Sequence, residues 1–137
     1  MTPEAFGPNF IGPQAPAGTN LPITPKFKGN VIARYNFDST AGWKPFGQAA
    51  FVYQTQSTPT LRVDETQVMG MQPAYGLLDL TAGATVSNMT VQFVVSNATN
   101  RLAQLSRFAQ TVPAVDNQIY VIPAQPRTYV LKFGQKF

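Results

Sequence analysis

The sequence predicts an all-β protein: an antiparallel meander of about five long strands that follows a proline-rich N-terminal arm. Three observations lead to this prediction. Apolar and polar residues alternate with period two over most of the chain after residue 28. The connections between these segments alternate between short and long. Helical spacing of apolar residues is confined to one short stretch, residues 100–109.

The first 27 residues are predicted to form an irregular arm, and residues 28–137 to hold the strands. Residues 1–25 contain six of the 12 prolines. Because proline fixes φ and lacks a backbone donor, this stretch is excluded from regular helices and from central strands.

The alternating segments give five predicted strands, each longer than the usual ~5–6 residues. They span residues 28–38, 46–56, 74–86, 89–97 and 127–137. Residues 39–45 and the pair Ser87-Asn88 are short turns. Residues 57–73 and 99–125 are long polar connections, which we expect to be loops.

The composition excludes several classes of site. The 137 residues suit one domain. The absence of cysteine and histidine removes disulfides, thiolate nucleophiles, the usual zinc ligands and the commonest general base. Only 12% of the residues are charged, against ~25% in typical soluble domains. The chain therefore buries an unusually large share of its surface, or part of its surface contacts an environment less polar than water.

The two faces of the predicted strands differ in charge. One face has no charged residue, apart from Arg127 at a strand end, whereas the other carries Arg34, Asp79, Lys132 and Lys136. Transmembrane β-barrels alternate in this way, with short turns at one end and long loops at the other. Strands of ~9–11 residues also suffice to cross a bilayer at a tilt. The pattern therefore favours a partial transmembrane β-barrel. Polar and apolar residues also alternate in a soluble β-sandwich with one solvent-exposed face, and this alternative stays open.

The alternation assigns residues to each side of such a barrel. The lumen-facing candidates are Arg34, Gln48, Gln54, Asp79, Gln92 and Lys132. The lipid-facing candidates are Val31, Ala33, Phe51, Leu78, Leu80, Val91, Phe93, Val95, Leu131 and Phe133.

No enzyme chemistry is indicated. We find no nucleophile motif, phosphate loop or metal-ligand spacing, so we expect no catalytic residue, no cofactor and no metal site. Asp64 and Glu65 fall in a predicted loop, where solvated charge is favoured over a cation site. Asp79 is the one carboxylate in the interior of a predicted strand, where it lines a permeation path, meets a plug, or pairs with Arg34, Lys132 or a neighbouring polar group. The net charge of +4 is spread along the chain, so we expect no nucleic-acid partner.

Residues 125–137, Gln-Pro-Arg-Thr-Tyr-Val-Leu-Lys-Phe-Gly-Gln-Lys-Phe, resemble the C-terminus of a TonB-dependent outer-membrane receptor. Chains of that family commonly end in a Pro-Arg-Thr-aromatic stretch, an alternating strand and a terminal phenylalanine. Residues 21–30, 72–80 and 94–100 are similar to earlier strand segments of the family. The resemblance covers roughly residues 20–137.

The resemblance implies a C-terminal fragment of a receptor in the outer membrane of a Gram-negative cell. The parent would import a siderophore, cobalamin or a saccharide, energised by the TonB system through N-terminal parts missing from this chain. Residues 28–137 would be C-terminal barrel strands and residues 1–27 an arm or extracellular loop. The implied partners are outer-membrane lipid and the barrel-assembly machinery, which would read Lys132, Gly134 and Phe137. Gln135 departs from this signal, because many such strands have an apolar residue there.

The family also implies a direction for the strands. The last strand would run from the outside to the periplasm, with Arg127 and Tyr129 at the outer rim. The inner rim would hold the aromatic residues Phe133, Phe137, Phe37, Trp43 and Phe46. In the alternative, a soluble β-sandwich of structural or carbohydrate-binding type, these aromatic residues belong to an ordinary core. Five strands cannot close a barrel, which is why a fragment is expected.

Overall fold

The computed structural model of the protein describes residues 17–39, 41–61, 63–112 and 115–137, without the side chains of 63–65 and 109–117. Residues 1–16, the larger part of the predicted arm, lie outside these ranges. The elements in chain order are β1 (Lys28–Asn36), β2 (Trp43–Gln54), α1 (Val63–Met69), β3 (Tyr75–Val86), β4 (Met89–Ser96), β5 (Gln104–Val112), β6 (Val115–Pro123) and β7 (Thr128–Gln135).

Five strands form one antiparallel sheet in the order β1-β2-β3-β4-β7. The predicted all-β meander of five long strands is confirmed, and each observed strand overlaps its predicted segment. The sheet is open, because β1 and β7 each pair with a described strand on one side only.

The two long connections contain regular structure that the sequence analysis did not predict. Residues 57–73 include α1, so Asp64 and Glu65 lie in a helix and not in a loop. Residues 99–125 contain the hairpin of β5 and β6. The helical spacing over residues 100–109 was misleading, because Phe108 lies in β5 and stacks on its cross-strand partner Tyr120 with ring centroids 5.3 Å apart. Such pairs across strands, together with the β-branched residues of β6, favour a hairpin.

The turn between β1 and β2 is shorter than predicted. β2 begins at Trp43 and includes Pro45, whose carbonyl accepts a hydrogen bond from the N–H of Phe37 at 2.9 Å. Phe37 lies just beyond the end of β1, so the missing proline N–H removes no bond from the ladder between the two strands.

Most of the buried residues lie at one end of the sheet, among the long connections. They are Met69, Ala103 and Ala124 with the polar residues Gln54, Ser57, Gln72 and Asn97. The helix α1 makes a few contacts with β5, whereas β5 and β6 mainly contact each other. Within the described ranges, no second layer therefore covers either face of the five-stranded sheet.

The turn between β3 and β4 contains a strained residue. Ser87 has φ of 50°, a left-handed conformation that is unfavourable for a residue with a Cβ. We expect Ser87→Gly to raise the free energy of unfolding by about 0.5–1 kcal/mol, because glycine adopts this φ without strain. Urea denaturation followed by circular dichroism in detergent micelles would measure it.

The control is Ser96→Gly in β4, where the backbone is extended and glycine should destabilise by about 0.5–1 kcal/mol. Equal destabilisation by both substitutions would show that the turn is not strained.

Candidate functional site

One face of the five-stranded sheet is free of charge. The register places Ala33, Ala49, Leu80, Val95 and Tyr129 in one row across all five strands, and the neighbouring rows continue this face. No Asp, Glu, Lys or Arg of the five strands falls on it. All ten lipid-facing candidates lie here: Val31, Ala33, Phe51, Leu78, Leu80, Val91, Phe93, Val95, Leu131 and Phe133. We call this surface the uncharged face.

The few polar atoms of the uncharged face belong mainly to ring-bearing side chains near its ends. Tyr53 lies toward the long connections and Trp43 toward the short turns, whereas Tyr129, at the start of β7, lies in the row of Ala49 and Leu80. From Trp43 to Tyr53 there are ten residue steps along β2. At ~3.3 Å per residue, this corresponds to roughly 33 Å along the strand.

The uncharged face is open to its surroundings. Val31 is 68% exposed and Phe133 is 72% exposed. Its centre has a shallow apolar depression of about 590 Å³ over Ala33, Gly47 and Ala49. Within the described residues, no second layer covers these side chains, and their contacts are with neighbours on the same face, such as the stacked rings of Phe93 and Tyr129 with centroids 6.1 Å apart.

The opposite face, here called the polar face, carries all six lumen-facing candidates. Arg34 pairs with Gln48 across β1 and β2, and Gln92 pairs with Lys132 across β4 and β7. Gln54 and Asp79 lie on the same face by the alternation of β2 and β3.

Asp79 forms neither of the predicted ion pairs; of the predicted partners, it bonds a neighbouring polar group. Its Oδ1 accepts a hydrogen bond from the N–H of Asn97 at 2.8 Å. The register explains the difference, because Asp79 lies opposite Ala50 whereas Arg34 lies opposite Gln48. The carboxylate therefore anchors the chain where it leaves β4.

Phe46 lies on the polar face, so its predicted place among the inner-rim aromatic residues of the lipid side is wrong. It pairs with Gly83, and a Cβ at Gly83 would lie 2.8 Å from the Phe46 ring and 2.7 Å from the Val91 carbonyl oxygen. The guanidinium carbon of Arg34 lies 3.9 Å from the centroid of the same ring. The ring is only 5% exposed, because the space above Gly83 accommodates it and Arg34 covers it.

The three residues of the predicted assembly signal lie on or beyond the edge strand β7. Lys132 faces Gln92, Gly134 faces Thr90, and Phe137 follows the strand and is fully exposed. The end of the chain is held to the β3–β4 turn, because Asn88 binds Lys136 through both its backbone carbonyl and its side-chain amide.

Two buried amides hold the long connections together, and the sequence analysis missed both. Gln72 is 1% exposed; its Nε2 donates to the carbonyls of Gln104 at 2.7 Å and Leu105 at 2.9 Å, and its Oε1 accepts from the Ser57 hydroxyl. These bonds fix the hairpin to the segment before β3. No sequence signal separated Gln72 from the chain's many exposed amides.

Asn97 fixes the base of the same hairpin. Its Nδ2 donates to the carbonyls of Arg101 and Gln125, both at 2.9 Å, and its Oδ1 accepts from the Arg101 N–H. It has φ of 49°, which asparagine tolerates better than most residues. Because of this conformation and the three side-chain hydrogen bonds, we expect asparagine to be preferred over other residue types at position 97.

No protein-family model, curated protein or solved structure matches this chain. Among the residues that the structure describes, no helix is long and apolar enough to cross a membrane.

We expect Gln72→Glu to destabilise the fold more at neutral pH than at pH 4. A carboxylate at this position would face two carbonyl oxygens without a donor, whereas the protonated acid donates one hydrogen bond. The folded state should therefore raise the pKa of the new carboxyl, so its stabilising contribution is present below the unfolded pKa of ~4.3 and is lost as the pH rises.

Urea midpoints of Gln72→Glu, Gln72→Met and the unchanged chain at pH 4 and pH 7 would measure this. Gln72→Met keeps the size without a titratable group, so its deficit should not change with pH. A pH-independent deficit in Gln72→Glu would contradict the described hydrogen bonds.

Proposed function

We propose that this chain forms the C-terminal part of the barrel wall of a TonB-dependent receptor in the outer membrane of a Gram-negative cell. The observation that carries the proposal is the uncharged face, which extends over all five strands of a single open sheet and is exposed. Its other support is the resemblance of residues 20–137 to the C-terminal strands of that family.

Lipid is the environment that suits the uncharged face best. Soluble monomers rarely expose contiguous apolar patches larger than a few hundred Å², and larger patches mark contact with a partner or a membrane. At the ~45° tilt of transmembrane strands, the roughly 33 Å from Trp43 to Tyr53 along β2 would span a band of roughly 23 Å, close to the ~25 Å apolar band of outer-membrane barrels. Tyrosine and tryptophan are the side chains preferred at the two boundaries of such a band.

The polar face then lines the lumen. Arg34, Gln48, Gln54, Asp79, Gln92 and Lys132 carry charges and amides that lipid would not solvate but a water-filled or plugged lumen does. The two turns at the Trp43 end are short, and the long connections with α1 and the hairpin lie at the other end. In the proposed barrel the long connections would lie outside the cell and the short turns in the periplasm, which is the usual arrangement of outer-membrane barrels.

Further strands of the parent barrel satisfy the two open edges. Because the N–H of Phe37 bonds the carbonyl of Pro45, the odd-numbered residues of β1 direct their backbone groups to β2. The even-numbered ones, Asn30 and Ile32 among them, direct theirs to the open edge. Each such group left unpaired in lipid costs several kcal/mol. A parent barrel of ~22 strands provides neighbours for both edges.

The parent receptor would be an energised importer of a siderophore, cobalamin or a saccharide, and not an enzyme. Contact with the TonB system would belong to other parts of the parent. The barrel-assembly machinery would engage β7 through strand pairing, with Lys132, Gly134 and Phe137 as the recognised positions.

We expect the purified chain to aggregate in plain buffer and to gain β-sheet signal in detergent. The reason is that detergent shields the apolar side chains of the uncharged face, whereas their exposure to water favours association between chains. Sedimentation with and without detergent, with circular dichroism on both samples, measures this. A folded, monodisperse chain in plain buffer would instead favour the soluble β-sandwich, a structural or carbohydrate-binding module.

A pair of neighbouring substitutions tests the orientation of the sheet. Leu80→Arg places a charge near the middle of the uncharged face and should destabilise the chain in lipid vesicles by about 2–4 kcal/mol. Thr81→Arg places the same charge on the polar face and should change stability little. Urea-induced unfolding from vesicles, followed by Trp43 fluorescence, gives both values; equal effects would contradict the assignment of the two faces.

A further inference from the structure

A pocket of about 410 Å³ lies at the long-connection end of the molecule, away from the uncharged face. Its walls are the segment before β1 and the segment after β2. Lining side chains include Asn20, Thr24, Lys26, Gln56 and Met71. A volume of this size lies within the range of small-molecule sites.

Backbone and side-chain hydrogen bonds fix both walls of the pocket. The N–H of Ile23 donates to the Thr58 carbonyl at 2.7 Å, and the N–H of Thr55 donates to the Phe27 carbonyl at 3.0 Å. Thr55 Oγ1 also accepts from the N–H of Phe27 at 3.1 Å. On the far side, Ser57 exchanges two backbone bonds with the buried Gln72. The pocket is therefore held in shape before any ligand arrives.

The first wall contains a strained residue. Ile23 has φ of 60°, which is a rare conformation for a β-branched residue and costs of the order of 1–3 kcal/mol. Strain of this kind persists only where surrounding bonds hold it, and it is concentrated at ligand sites.

Three lining side chains are exposed, so their polar groups are solvated and accessible to a ligand. Asn20, Lys26 and Gln56 make no side-chain hydrogen bond or ion pair with any residue that the structure describes. The hydroxyls of Thr24 and Thr58 donate to the carbonyls of Pro22 and Leu21, so their oxygens remain free to accept. Lys26 is the only charged residue among the described lining residues, and none of these residues carries a carboxylate.

We propose that this pocket binds a monosaccharide-sized, hydroxyl-rich ligand that is neutral or acidic. Two amides, one ammonium group and two accepting hydroxyl oxygens complement an array of ligand hydroxyls, which both donate and accept. Met71 and Ala74 add a small apolar surface for the C–H side of a sugar ring. The unpaired Lys26 favours a carboxylate on the ligand and disfavours a cation.

In the proposed receptor, this pocket would bind a saccharide on the extracellular side. That the saccharide is imported rests on the proposed function, whereas its binding to the pocket does not. Three sugars of the same ring shape separate the contributions: glucuronate is anionic, glucose neutral and glucosamine cationic. Saturation-transfer NMR and calorimetric titration of the folded chain in a sugar-free detergent would measure their dissociation constants.

We expect glucuronate to bind about two- to fivefold more tightly than glucose, as one exposed ion pair allows, and glucosamine to bind most weakly. Lys26→Gln should abolish the preference for glucuronate and leave glucose binding nearly unchanged. Gln56→Ala and Asn20→Ala should each weaken binding of all three sugars about fivefold. Lys44→Gln, at the opposite end of β2, is the matched control and should keep the wild-type order.

The proposal is overturned if none of the three sugars binds the folded chain, or if Lys26→Gln keeps the preference for glucuronate. It is also overturned if folded Gln56→Ala binds glucose like the unchanged chain. Circular dichroism of each variant confirms that it is folded. Sedimentation with and without detergent addresses the membrane assignment separately, so either proposal can fail while the other stands.

Discussion

Strict alternation along paired strands is the constraint on which the rest of the structure depends. In an extended strand, successive side chains point to opposite sides, and the antiparallel register keeps each side continuous across neighbours. Shifting one strand by a single residue would move a charge such as Arg34 or Lys132 onto the face that carries Leu80 and Leu131. The uncharged face therefore depends on every pairing in the sheet, from Val31 opposite Phe51 to Val91 opposite Phe133.

The stability of the long-connection end has a different origin. Its buried residues include amides and hydroxyls, and Gln72 and Asn97 satisfy backbone carbonyls that no strand pairs. Buried polar groups of this kind are stable only when their partners are complete. Within the described residues, the sheet has an apolar surface without a covering layer, whereas the connections have a small polar interior in which Gln72 and Asn97 are hydrogen-bonded and Gln104 Oε1 and Arg107 Nε have no hydrogen-bond partner. This division suits a wall segment whose faces are solvated differently and whose loops must hold a fixed shape.

The sequence predicted the strands well and the connections poorly. The five strands were predictable because period-two alternation is a local pattern, and because Ser87-Asn88 and Gly42 mark turns. The hairpin of β5 and β6 was not, since Leu102, Leu105 and Phe108 happen to follow helical spacing, and the stacking of Phe108 on Tyr120 joins residues distant in sequence. The prediction for Phe46 was wrong for a related reason. Its position depends on the space above Gly83, which lies opposite Phe46 in the sheet but far from it in the sequence. The co-facial grouping of Arg34 and Asp79 was predictable, but the bond from Asn97 to Asp79 depends on the path of the chain after β4.

The most direct test of the two-sided sheet is a spin-label scan along β3 in lipid vesicles. A single cysteine is introduced at each residue from 77 to 84 in turn and labelled, which is straightforward because the chain has no cysteine of its own. Collisions with oxygen, which dissolves in lipid, should peak at 78, 80, 82 and 84. Collisions with a water-soluble nickel chelate should peak at 77, 79, 81 and 83. Accessibility without a period of two, or with the two reagents peaking at the same positions, would contradict the assignment of one face to lipid and the other to an aqueous lumen.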